Sequence, residues 1–176
     1  DNIEGILNDF FEEILNQLLL VLDNFKKSND EKYLTEIKNI TGNIINDEKL
    51  SVLTSKSKEE FVKGMKSLFF VKKKSRVEIL GEQENKNLEK KIFLQVVDFS
   101  WRSHLQYLEQ LRQVIGLRSY GQKDPLSEFK KEAFTLFEAL LEKVKTDVVK
   151  FLLNMNLVFT NENEKKQFIE NDKPSE

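Results

Sequence analysis

The sequence predicts an all-α fold: a long antiparallel helical hairpin packed on another long helix, with a small inserted helical lobe. Three observations predict it. Apolar residues recur at three- and four-residue steps along most of the chain. Only 6 Gly and 2 Pro interrupt its 176 residues. Charged residues make up 33% against 39% hydrophobic, a balance that suits long helices with one solvated face better than a sheet protein.

Ile3–Phe25 reads as the first helix. Ile3, Ile6, Leu7, Phe10, Phe11, Ile14, Leu15, Leu18, Leu19 and Leu22 form a stripe wide enough to need more than one neighbour. Ser28-Asn29-Asp30 ends it, and Ser28 with Glu31 has capping-box spacing. Tyr33, Leu34, Ile37 and Ile40 mark a short helix stopped by Gly42. Asn43–Ser55 is less regular, with about a turn of helix around Glu48–Leu53. Ser57 and Glu60 repeat the capping-box spacing before an amphipathic helix carrying Phe61, Met65, Leu68 and Phe69. Lys72-Lys73-Lys74 fits a solvated helix face better than a nucleic-acid patch, because Glu78, Glu82 and Glu84 follow closely. Gly81 and Glu82–Asn87 are either a break or an exposed helical stretch.

From Leu88 to Leu117 the pattern is strongly helical, with Ile92, Phe93, Val96, Val97, Trp101, Leu105, Leu108 and Leu111 on one broad side. Phe129, Ala133, Phe137, Leu140, Val144, Val148 and Leu152 repeat it after a short turn, so the two segments predict an antiparallel hairpin. Trp101 is expected in the core. Thr160–Glu176 is polar with little periodicity and reads as a disordered tail.

Composition excludes several classes. A net charge of -2 offers no global field for nucleic acid or an anionic membrane. Cysteine is absent, which removes disulfides and thiolate metal sites. The longest apolar run, Leu18–Leu22, falls far short of the roughly 20 residues of a bilayer span. The single histidine, His104, reads as a hydrogen-bonded, partly buried side chain. No Glu-x-x-His pair or phosphate-cradling glycine loop exists. Asp98 and Glu109 read as ion-pair partners rather than as an acid/base pair. No catalytic residue and no metal ligand is therefore expected. The chain begins with Asp rather than Met, with a helix already under way, and so reads as part of a longer protein.

The turn between the hairpin arms is the most specific stretch. Asp124 suits a helix N-cap and Pro125 the first helical position. Gly116 ends the first arm or relieves packing, and Gly121 suits a positive φ. None of this explains Tyr120, Arg118 or Lys123. Two readings of Tyr120 stay open: a ring folded back over the hairpin end, or a ring presented to a partner.

Val96–Phe151 resembles the C-terminal helical scaffold of SecA, the motor of bacterial preprotein translocation. The matching residues are Val97-Asp98, Trp101, His104-Leu105 and Leu111-Arg112-Gln113. They continue as Ile115-Gly116-Leu117-Arg118, Tyr120, Gln122-Lys123-Asp124-Pro125 and Glu128-Phe129-Lys130, with Glu132 and Phe134. The run IGLRSYGQKDPLSEFKKEAF carries most of the specificity. Many members have Gly in place of Ser119 and Ala in place of Gly121; none of these departures removes the tip aromatic.

The resemblance implies a division of the chain. Residues 1–27 would end a long scaffold helix, 28–87 form the helical wing, 88–159 the scaffold helices with the two-helix finger, and 160–176 the tail. It implies that the finger reaches into the cytoplasmic mouth of the SecY channel. There Tyr120 would touch the unfolded preprotein, with Arg118, Ser119, Gly121, Gln122 and Lys123 as its loop. Gly116, Asp124 and Pro125 would be the structural turn. The motor's nucleotide-binding domains would be further partners, and ATP and Mg would bind there, leaving this chain without a cofactor or catalysis of its own. The implied location is cytoplasmic, peripheral to the inner membrane. The alternative is a purely structural helical scaffold or protein-interaction module. Apolar stripes left bare in either case favour self-association.

Overall fold

The structure, a computed structural model, describes residues 2–116, 124–159 and 161–171. These form seven α-helices and one short 3-10 turn, and no strand occurs among the described residues. The helices are α1 (Ile3–Ser28), α2 (Lys32–Thr41), α3 (Asp47–Ser55), α4 (Lys58–Leu80), α5 (Glu82–Ile115), α6 (Pro125–Asn154) and α7 (Glu162–Asn171).

The wide stripe of α1 has two coverings. Phe11, Ile14, Leu15, Leu18, Val21 and Leu22 join Ile37, Ile45, Leu50, Phe61 and Met65 of the lobe and Val149 and Leu153 of α6 in one core. Phe11 and Phe69 stack there with ring centres 4.1 Å apart. Leu7, nearer the start of α1, joins Leu80, Leu88, Ile92, Val96, Val144, Val148 and Leu152 in a second core at the base of the hairpin. Residue numbers rise along α5 as they fall along α6, which is the antiparallel pairing expected of the hairpin.

Local signals explain most helix ends. The Ser57–Glu60 capping box forms in both directions, with Glu60 N donating to Ser57 Oγ and Ser57 N to Glu60 Oε2. The Ser28–Glu31 box does not form. Asn29 instead ends α1 in the left-handed region, and Ser28 Oγ donates back to Asn24 O. Asp30 then caps the next turn by accepting from Lys32 N. Asn46, in extended conformation, caps α3 through Lys49 N and lets that helix reach nine residues where only a turn was expected.

Of the two readings open for Glu82–Asn87 the helical one holds: α5 starts at Glu82, with Gly81 alone between α4 and α5. Two expectations need correction. Residues 162–171, read as a disordered tail, are helical: Asn161 Oδ1 accepts from Glu164 N, and Phe168 packs edge-on against Phe159 beside the second core. Trp101, expected inside, is 44% exposed because two helices alone cannot enclose an indole.

Candidate functional site

The hairpin arm is the first candidate. At about 1.5 Å per residue, α5 spans roughly 50 Å and α6 roughly 45 Å. Both lobe cores stop near Val96 and Val144. Farther out, the buried residues Ser100, His104, Leu111 and Ile115 of α5 belong to neither core. His104 lies between Trp101 and Phe137, with ring centres 5.5 and 6.1 Å away. The outer arm is therefore a two-helix projection, and it leaves Leu105, Tyr107, Val114, Leu126 and Phe134 exposed.

The tip residues Arg118, Ser119, Tyr120, Gly121, Gln122 and Lys123 lie outside the described residues. Their flanks are described. Asp124 is extended at the N-cap of α6, and its Oδ2 accepts from Ser127 Oγ at 2.6 Å and Ser127 N at 3.0 Å. These two hydrogen bonds, the hydroxyl's first, hold its carboxyl below the ordinary aspartate range. Pro125 takes the first helical position as the sequence predicts. Gly116 has a helical φ of -58° and open space where a Cβ would sit, so neither sterics nor backbone demands glycine there.

At the other end, the base of the hairpin holds a polar cluster that sequence reasoning missed. Arg76 of α4 is buried, and its guanidinium donates on three sides. Nε reaches Asn85 Oδ1 at 3.2 Å, Nη2 reaches Glu89 Oε1 at 3.0 Å, and Nη1 reaches the Leu152 carbonyl at 2.7 Å. Arg76 and Glu89 form an ion pair with side chains only 3% exposed. Leu152 lies in the last turn of α6, where carbonyls lack helical partners, so Arg76 also caps that helix. Nearby, Asn154 Nδ2 donates to the Thr41 carbonyl at 2.8 Å, tying α6 to the end of α2. The signal available in the sequence was position. Arg76 falls on the stripe of Met65, Phe69 and Leu80, and Asn85 and Glu89 fall on that of Leu88 and Ile92.

The remaining candidates resolve as ordinary surface or core chemistry. Asp98 pairs with Arg102 and Glu109 with Arg112, each within α5. Lys72 donates to Asn156, Lys73 pairs with Glu4, and Lys74 lies 3.9 Å from Glu78, as a solvated face would arrange them. A groove of about 1010 Å³ runs between α2, α5 and α6, lined by Ile92, Val96, Phe99, Phe151 and Met155, with the buried Ser100 hydroxyl beside it. Among the described residues no group of His, Asp or Glu could hold a metal, and no helix is long and apolar enough to cross a membrane.

Fold and base together define an all-α lobe from which a braced two-helix arm projects. The SecA wing and scaffold domain model matches residues 1–156, and the chain belongs to that family. The protein translocase subunit SecA of Pelagibacter ubique is 43% identical over 152 residues, covering 86% of this chain and 18% of that protein. That of Campylobacter hominis is 34% identical over 155 residues, covering 86% and 17%. That of Hyphomonas neptunium is 49% identical over 79 residues, or 45% of this chain. The chain thus spans less than a fifth of the length of these relatives.

Proposed function

We propose that this chain is the wing and two-helix finger of a protein translocation motor, and that its hairpin transmits the motor's motion to a preprotein. The carrying observation is the arm itself: α5 is one unbroken helix from Glu82 to Ile115, braced at its base and outside both lobe cores beyond Val97. A lever needs a stiff shaft and a fixed end, and a ring at the far end offers contact area that tolerates any passing sequence. In this reading Tyr120 touches the unfolded chain at the mouth of the SecY channel, within the loop Arg118–Lys123. Gly116, Asp124 and Pro125 carry that loop. ATP hydrolysis belongs to the motor's other domains, and the protein works at the cytoplasmic face of the membrane.

Replacement of Tyr120 by Ala in the full-length motor should cut ATP-driven preprotein transport several-fold, while Tyr120→Phe should keep most of it. Unchanged transport in Tyr120→Ala would overturn the tip role. A second reading has the hairpin buttressing other domains, and the apolar residues exposed along its sides, such as Leu105 and Leu126, favour it. A photo-crosslinker at position 120 separates the two. Labelling of a stalled preprotein supports the finger, and labelling of the motor's own domains alone supports the buttress.

A further inference from the structure

The joint between lobe and hairpin is built unlike the rest of the molecule. Elsewhere among the described residues the helices meet chiefly through apolar side chains and single hydrogen bonds such as Asn154 to Thr41, and the ion pairs that link them, such as Lys145 with Glu13, have solvent-exposed members. At the joint, one buried arginine reaches both arms at once. We propose that Arg76 is a positioning residue: its three-way fork sets the direction in which the hairpin leaves the lobe, with Gly81 as the pivot. The inference deepens the lever reading and rests on it for its purpose.

The pivot is visible in the backbone. Gly81 is the sole residue between α4 and α5, and its φ of +89° with ψ of 162° is a conformation that L side chains rarely adopt. No described atom beyond its chain neighbours lies within 4 Å of where its Cβ would be, so Gly81 itself makes no contact at the bend, and the nearest apolar packing is that of Leu80 against Leu88 and Ile92. Arg76, one turn before it, adds a directional restraint to that packing. Asn85 and Glu89 fix the start of α5, and the Leu152 carbonyl fixes the end of α6. A planar fork with three acceptors in set directions restrains angle as well as distance, which apolar contact does not. A buried ion pair is a poor source of net stability, because desolvation offsets the attraction. Its use here is geometric.

The chain has no cysteine, so spin labels at Lys63→Cys on α4 and Gln106→Cys on α5 report the joint angle as a distance distribution. Native Arg76 should give one narrow distribution. The triple change Arg76→Met, Asn85→Leu, Glu89→Leu removes the fork while keeping the volume apolar. It should fold with a melting temperature near or above the native one, yet broaden or shift the distribution. Arg76→Lys keeps the charge opposite Glu89 without the fork and should broaden it less. A distribution as narrow and as centred as the native one in the folded triple variant would overturn the proposal. If that variant does not fold, the same result in Arg76→Lys overturns it. The measurement needs no channel or substrate, so the clamp can fail while the Tyr120 assay succeeds, and the reverse.

Discussion

Replacing Gly42 by alanine tests how the lobe is fastened to the hairpin base. Gly42 ends α2 with φ +69° and ψ -154°, a region nearly closed to residues with a side chain. Holding alanine there costs about 1–3 kcal/mol. Its methyl would also lie 2.8 Å from Cγ of Asn154, against the carboxamide that donates to the Thr41 carbonyl. Pushing that group aside forfeits a hydrogen bond worth roughly 0.5–1.5 kcal/mol. The single change should therefore destabilise by about 2–4 kcal/mol. Asn154→Ala loses the bond and removes the obstacle, at about 1 kcal/mol. The double variant should then fall short of the summed single costs by about 1 kcal/mol, since the lost hydrogen bond is counted in both single variants but only once in the double. Urea unfolding followed by circular dichroism measures all four corners of this cycle. Additivity within about 0.3 kcal/mol would show that Asn154 does not sense the new methyl, and the reasoning would fail. A Gly42→Ala cost below about 0.5 kcal/mol would refute the backbone argument as well.

Phe61 is 0% exposed in the first core, so Phe61→Ala should destabilise the lobe by about 3–5 kcal/mol, read in the same urea experiment. Asp124 supplies a pH test. Its carboxyl titrates below the ordinary aspartate value, so its capping contribution is complete above that value and is lost as pH falls through the depressed one. Hydrogen exchange at the Ser127 amide, corrected for its intrinsic pH dependence, should lose protection over that acid window, and Asp124→Ala should show low protection with no such step.

Much of the fold was legible because its signals are local. A 3.6-residue apolar period announces each long helix, and Ser57–Glu60 and Asp124-Pro125 mark helix starts by side chains that reach only three residues. The failures have physical causes. Ser28–Glu31 had capping-box spacing, but Asn29 took a left-handed conformation and passed the cap to Asp30. Residues 162–171 lack a stripe, yet Phe168 packs on Phe159 beside the second core and Asn161 caps the first turn. The tip was conspicuous in sequence because its residues exceed what a turn needs. The clamp was hidden for the opposite reason. Arg76 sits in the run KKKSRVE, where its neighbours are solvated, and charge is ordinarily a surface signal.

The two ends of the hairpin therefore ask different things of the same chain. At the tip, Asp124 and Pro125 need only start a helix on time, and short-range capping does that with exposed residues. At the base, a small angular error is multiplied along the arm: over roughly 50 Å of helix a pivot of ten degrees would displace the tip by about 9 Å. Apolar contacts are non-directional, whereas a guanidinium fork with three acceptors fixes angle as well as distance. A lever that must deliver displacement at its far end has reason to bear the desolvation cost of Arg76 and Glu89, and a hairpin that served only as filler would not.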